Sequence, residues 1–261
     1  EVPVPQINAD EVLIKVKACG ICGSDIHILH DEFKNAPPVI IGHEFSGEIV
    51  EVGAKVQGWK AGDRVVAELH IKACGRCRLC RTGNPQICPE KMPLGSGADG
   101  AFAEYIKVPA WLLHRVPDNL SYEEAALTEP VAICVHCVLE STGVEPEDFV
   151  VILGPGPIGL LSAQIVKAAG AGRVMLTGLA KDEVPRLKIG RELGIDYVIN
   201  LEEEDPLQKL YRFTRGRGAD LVIEASGSEP GINQALTMVR RGGRIAALGM
   251  TREKKVDIAW N

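Results

Sequence analysis

Four of the eight cysteines, Cys74, Cys77, Cys80 and Cys88, fall within fifteen residues in the spacing C-x2-C-x2-C-x7-C. Four thiolates this close complete a tetrahedron around Zn2+ and leave no position for a substrate, so the group reads as a closed structural site. An iron–sulfur cluster is the alternative, although ferredoxin-type runs place their fourth cysteine differently. Such clustering in a chain of this size points to metal binding in a reducing compartment, here the cytoplasm, rather than to a disulfide scaffold.

The second stretch able to do chemistry is Gly154-Pro155-Gly156-Pro157-Ile158-Gly159. It follows an apolar run at 149–153 and opens a helical pattern at 160–169, the context in which G-x-G-x-x-G binds a dinucleotide. Gly154 suits the tight turn, Gly156 lets the backbone approach a pyrophosphate, and Gly159 lets helix pack on strand. The helix start, with Pro157 and Ile158, supplies free N–H groups and partial positive charge. NAD calls for a carboxylate at the end of the second strand, about 20 residues on. Gly178 stands there instead and is read as leaving room, with Lys181 and Arg186 near enough to reach a 2'-phosphate. The expected coenzyme is NAD(P), with NADP favoured; Asp182 and Glu183 keep NAD open.

The elements that must position these groups differ between the two halves of the chain. Up to about residue 130, short strand-like segments such as 12–16 and 47–52 are broken by glycines and prolines, as in a mostly antiparallel sheet or barrel. Beyond about 145, apolar runs at 149–153, 173–177, 197–199, 220–224 and 244–248 alternate with helical patterns. Those five runs predict the strands of a doubly wound parallel sheet. Cys134 and Cys137, in an apolar run between the halves, read as buried thiols; with His136 they also make half a metal site.

Three further segments complete the pattern: Cys19-Gly20-Ile21-Cys22-Gly23-Ser24-Asp25-Ile26-His27, the run from Gly42-His43-Glu44 to Gly53, and Thr128-Glu129-Pro130. With the cysteine quartet and the glycine-rich turn they form five motifs, and in this order they resemble the zinc-containing medium-chain alcohol and polyol dehydrogenases, in the sorbitol and threonine dehydrogenase branch. The likeness runs from about 12 to 248. It implies a mostly-β GroES-like catalytic domain at 1–132 and a Rossmann domain at 133–261. The family continues with a sixth strand, so the resemblance also implies that the second domain lacks its C-terminal end. By the same resemblance Cys22 and His43 are ligands of a catalytic zinc, joined by Glu44 and by Glu129 directly or through water. Where the ethanol-type branch places a cysteine, Glu129 points to the polyol-type enzymes. A thiolate, an imidazole and a carboxylate leave one coordination position for a substrate oxygen. Ser24 and His27 match the family's proton relay, and Asp25 is a candidate to orient a ligand imidazole.

The expected function is a zinc-dependent oxidoreductase that moves a hydride between a secondary alcohol or polyol and a nicotinamide cofactor, with two zinc ions per subunit and a homodimeric or homotetrameric assembly. L-Threonine 3-dehydrogenase shares the ligand set and is the alternative. A zinc protein that binds nucleotide without catalysis is a third reading, and it would need no open ligand set. Composition agrees with a small-molecule partner. Of 261 residues, 46% are hydrophobic and 25% charged, and 29 basic against 35 acidic residues give a net charge of -6. That balance opposes nucleic acid and anionic membrane surfaces. The longest uncharged run, 149–166, is too interrupted by glycine and proline to form a membrane span. The start, from Glu1 to Pro5, has no initiator Met and no export pattern and is read as processed or truncated.

Overall fold

The computed structural model describes residues 2–32, 37–251, 253 and 255–259; Glu1 and the pair Trp260-Asn261, which bound the expected domains, lie outside the described residues. The chain forms two compact units, Glu1–Glu129 and Pro130–Asn261.

The first unit runs β1 (Glu11–Gly20), α1 (Gly23–Leu29), β2 (Glu44–Val52), β3 (Arg64–Ala67), β4 (His70–Lys72), α2 (Arg78–Arg81), β5 (Met92–Pro93), β6 (Tyr105–Pro109), β7 (Leu113–Arg115) and α3 (Tyr122–Ala126). Five strands form an antiparallel sheet in the order β6-β1-β2-β3-β7, and β4 pairs with β5 apart from it. The period of two is plain in β6, where Ile106 and Val108 are buried while Tyr105 and Lys107 are not. Those residues join Val12, Ile14, Phe45 and Ile49 in one core. Each such aliphatic side chain stabilises the unit by roughly 1.5–3 kcal/mol on burial.

At the junction α4 (Thr128–Val135) leads into a π-helical turn, His136–Thr142. Then follow β8 (Phe149–Leu153), α5 (Pro157–Ala168), β9 (Arg173–Gly178), α6 (Lys188–Glu192), β10 (Tyr197–Asn200), α7 (Pro206–Thr214), β11 (Ala219–Glu224), α8 (Glu229–Met238) and β12 (Val239–Ala247). The strands are parallel in the order β10-β9-β8-β11-β12, the expected doubly wound sheet. Its order reverses between β8 and β11, the place where such sheets bind dinucleotides. β8 is buried throughout because both faces of the sheet are covered: Val150 and Ile152 enter one core, Phe149, Val151 and Leu153 the other. β12 starts at Val239, ahead of the expected 244, because a register shift after Ala219 absorbs the polar run Arg240 to Gly243. Cys134 and Cys137 are buried, with Cys137 in the core on one face of the sheet, whereas His136 is exposed and pairs with Glu140 at 2.7 Å. No helix among the described residues is long and apolar enough to cross a membrane.

Candidate metal centres and dinucleotide turn

The antiparallel pairing of β1 with β2 sets Gly20 opposite Glu44, and this register brings the start of α1 beside the start of β2. A Cβ at Gly20 would stand 2.3 Å from Glu44 Oε2, so the glycine makes room for the carboxylate. As a result one ligand atom each from Cys22, His43 and Glu44 lies within 4.8 Å of the others. Asp25, only 2% exposed, ties the group together. Its Oδ2 accepts from the Cys22 N–H at 2.9 Å, and its Oδ1 accepts from the Gly42 N–H at 3.2 Å and lies 3.4 Å from His43 Nδ1. Holding Nδ1 leaves Nε2 as the ring nitrogen for another partner.

The electrostatics of this group fit a cation. Burial pushes the Cys22 thiol up, and hydrogen bonds from Ser24 pull it partly back. Burial also raises the Glu44 carboxyl, against the pull of His43. Glu129, in the first turn of α4, is raised by burial, lowered by His43 and raised again by Glu44, which places it within the field of the same group. Three acids desolvated together cannot all ionise without positive charge among them. A divalent ion held among them would supply that charge. Because Asp25 holds both the His43 imidazole and the backbone beside the Cys22 thiol, Asp25→Ala is expected to weaken zinc binding at this group ~10- to 100-fold, as read by chelator competition.

Ser24 and His27 stand one turn apart on α1. Ser24 and His43 line a cleft of about 620 Å³. His27 Nδ1 lies 2.7 Å from Glu32 Oε2. Other residues lining the cleft, Leu69, His70, Lys91 and Ser96, were not singled out by motif. They come together only because the β4–β5 pairing lays His70 opposite Pro93, a contact that no local spacing announces.

In the cysteine quartet, sulfur separations are 3.5 Å for Cys77–Cys80 and 3.9 Å for Cys74–Cys80 and Cys77–Cys88. Zn–S bonds of about 2.3 Å in a tetrahedron imply edges of about 3.8 Å, so the cage has the size of a single zinc ion. A cluster of several irons would need a wider cage. Backbone N–H groups already face the sulfurs: Cys77 N donates to Cys74 Sγ at 3.3 Å, and Cys80 N to Cys77 Sγ at 3.4 Å. The backbone groups of Arg76 and Cys77 draw the Cys74 thiol down to about 6, while burial and thiol hydrogen bonds push Cys80 up to about 12.

In the second unit Gly154 takes φ +104°, a left-handed conformation that favours glycine. A Cβ at Gly159 would stand 2.0 Å from the Gly154 carbonyl oxygen, whereas one at Gly156 would meet nothing within 4 Å. Gly156 thus borders open space at the start of α5, where Pro157 occupies the first turn and the early N–H groups are unpaired by the helix. That vacant approach fits a pyrophosphate. Gly156→Ala is therefore expected to keep its melting temperature while dinucleotide binding weakens ~10-fold or more, as measured by calorimetry.

The end of β9 corrects one expectation. Gly178 is the last strand residue, but a Cβ there would stand 2.6 Å from Pro155 Cγ and 3.0 Å from Leu187 Cδ2. The position is packed against its neighbours and leaves no room for an added carboxylate. Arg186 is also engaged, with Nη1 2.9 Å from Asp182 Oδ1. Asp182 is buried and turns back to accept from the Leu179 N–H at 3.1 Å. Lys181 remains exposed on the turn. Glu202 reaches the same turn from beyond β10, accepting from the Ala180 N–H at 3.0 Å.

A two-unit chain with an antiparallel first sheet, a doubly wound second sheet, a closed thiolate cage and an open mixed donor set defines a class of metal- and nucleotide-dependent dehydrogenases. Comparison with known proteins agrees. Residues 8–118 match the family described as alcohol dehydrogenase GroES-like domain, and residues 157–261 match the family described as zinc-binding dehydrogenase. The chain is 42% identical to D-arabitol-phosphate dehydrogenase of Enterococcus avium over 259 residues, 99% of this chain and 73% of that protein. It is 43% identical to sorbitol dehydrogenase of Halalkalibacterium halodurans over 257 residues, 98% of this chain and 74% of that protein. A solved zinc-binding dehydrogenase from Sinorhizobium meliloti 1021, bound to NADP, superposes with a TM-score of 0.91 at 34% identity, covering 98% of this chain and 75% of the other. The chain belongs to the zinc-containing medium-chain alcohol and polyol dehydrogenases, and it is an NAD(P)-linked enzyme.

Proposed function

We propose that the chain oxidises a secondary hydroxyl of a polyol, and reduces the matching ketose, at the group formed by Cys22, His43, Glu44 and Glu129. The observation that carries this reading is the open donor set of Cys22, His43 and Glu44 beside a cleft. Zinc held there would supply Lewis acidity toward a substrate hydroxyl, and a nicotinamide cofactor would supply the hydride-transfer chemistry. The chain's own residues do the rest. Asp25 orients His43 and the turn at Cys22. Ser24 Oγ, on the cleft wall, accepts the hydroxyl proton and passes its own to His27 Nε2, while Glu32 holds Nδ1 of that ring. Gly154, Gly156, Pro157, Ile158 and Gly159 cradle the pyrophosphate at the start of α5.

A second zinc, in the cage of Cys74, Cys77, Cys80 and Cys88, completes two per subunit and is structural. Thiolate ligands of this kind favour a reducing compartment, which supports the cytoplasm. A homodimer or homotetramer is the expected assembly, as closed symmetry is the common outcome for soluble enzymes.

A panel of polyols, simple secondary alcohols and L-threonine, assayed with both coenzymes by the absorbance of reduced nicotinamide, tests the reading. Polyols should be turned over fastest. Preference for threonine would transfer the chain to the amino-alcohol class, and no turnover of anything would favour the non-catalytic alternative. NADP should serve at least as well as NAD, because exposed Lys181 is free of the Asp182–Arg186 pairing beside it. Lys181→Ala should lower kcat/KM for NADP ~10-fold relative to NAD. A strong native preference for NAD, unmoved by that change, would contradict the coenzyme assignment.

A further inference from the structure

We propose that the cleft beside the open metal group takes a substrate whose far end is anionic, a phosphate or a carboxylate, and that Lys91 is the residue that selects it. The inference rests on the polyol reading for the chemistry at Ser24 and His43, which line the same cleft as Lys91.

The lining explains the selection. Among the described lining residues there is no Asp, Glu, Asn or Gln, the side chains whose oxygens accept from sugar hydroxyls. What the wall offers instead is the Lys91 ammonium, which only donates, beside the hydroxyl of Ser96, which donates and accepts. Lys91 Nζ donates to the Gln86 carbonyl oxygen at 2.9 Å, which fixes the ammonium and leaves two of its three N–H groups for a ligand. The neighbouring carboxylates are engaged elsewhere. Glu90 holds Arg76 with both oxygens at 3.1 Å, and Glu68 holds His114 at 3.1 Å. Burial, and after it the Lys91 charge, hold the His70 imidazole, also on this wall, below its ordinary range against the pull of Glu68. Lys91 therefore stands as a full positive charge on the solvent-exposed part of a wall that carries no carboxylate among its described lining residues, so its pull on an anion is screened by salt.

Calorimetry with a pentitol phosphate, the parent pentitol, L-threonine and inorganic phosphate tests this, alongside turnover of the first three. The native enzyme should bind the phosphate ester ~10-fold or more tighter than the pentitol, and Lys91→Met should lower that ratio ~10- to 30-fold, as expected for a lost charge-assisted hydrogen bond. Lys91→Arg should retain most of the ratio. Raising the salt should weaken the ester and leave the pentitol little changed. If threonine rather than the ester shows the dependence on Lys91, the anion is a carboxylate. Equal binding of ester, threonine and pentitol, or a ratio that Lys91→Met does not move, overturns the proposal. Binding that depends on Lys91 without turnover of the ester or the pentitol keeps the anion site and removes the polyol reading.

Discussion

Cys22→Ser is expected to lower kcat/KM by ~10³-fold or more while the fold survives. The thiol sits at the start of α1, half-buried, with Ser24 and Asp25 organising it from the same turn. It contributes nothing to the sheet core, so a nearly isosteric hydroxyl preserves the packing around it. What the change removes is the one soft sulfur donor from a group whose other donors are an imidazole nitrogen and a carboxylate oxygen. Metal-assisted stabilisation of developing oxygen charge is worth several kcal/mol. At about 1.36 kcal/mol per decade, a loss of ~4 kcal/mol gives the thousandfold effect. Melting temperature, zinc content and steady-state kinetics measured together check it: zinc should fall by one equivalent and the melting temperature should hold. A variant that melts early yet turns over normally per folded molecule would remove Cys22 from the catalytic group.

The second large effect is of the opposite kind. Cys77→Ser should cost ~4 kcal/mol or more of stability, a drop of about 10 °C in melting temperature. Cys77 touches every part of the cage: its sulfur lies against Cys80 and Cys88, and its backbone N–H donates to Cys74. Apart from α2 and a single 3-10 turn, the segment 74–91 has no regular structure, and the sulfur cage is what gathers it. Differential scanning calorimetry, with and without added zinc, is the measurement. Unchanged melting would show that the segment is held by something other than metal. Since Cys88 also borders the cleft, some loss of activity is expected as well, but it should track the unfolded fraction.

How much of this was legible beforehand follows from the range of the interactions involved. β8 announced itself because a strand covered on both faces is continuously apolar, and the cysteine quartet because its ligands are local in sequence. The start of β12 was obscured by a register shift that hides its alternation. Gly178 looked like open space, since nothing in the spacing shows that Pro155 folds over it from the end of β8. Asp182 and Arg186, candidates for opposite coenzymes, bind each other at i, i+4, a pairing visible only once the turn is formed. Donors such as Cys22, His43 and Glu129 are distant in sequence, so only their resemblance to a family could collect them. The β1–β2 register supplies the physical reason for the first two. The cleft wall around His70 and Lys91 depends on a three-residue strand meeting a two-residue one, below what periodicity resolves.

The most direct test of the central claim is a zinc titration of the enzyme followed by its turnover of a polyol. The native protein should hold two equivalents per subunit. A chelator should remove one, with all turnover lost and the melting temperature little changed, because the closed thiolate cage keeps its ion while the open group of Cys22, His43 and Glu44 releases its own. Adding back one equivalent of zinc should restore the rate. Full turnover by protein that retains only the ion in the cysteine cage would contradict the account.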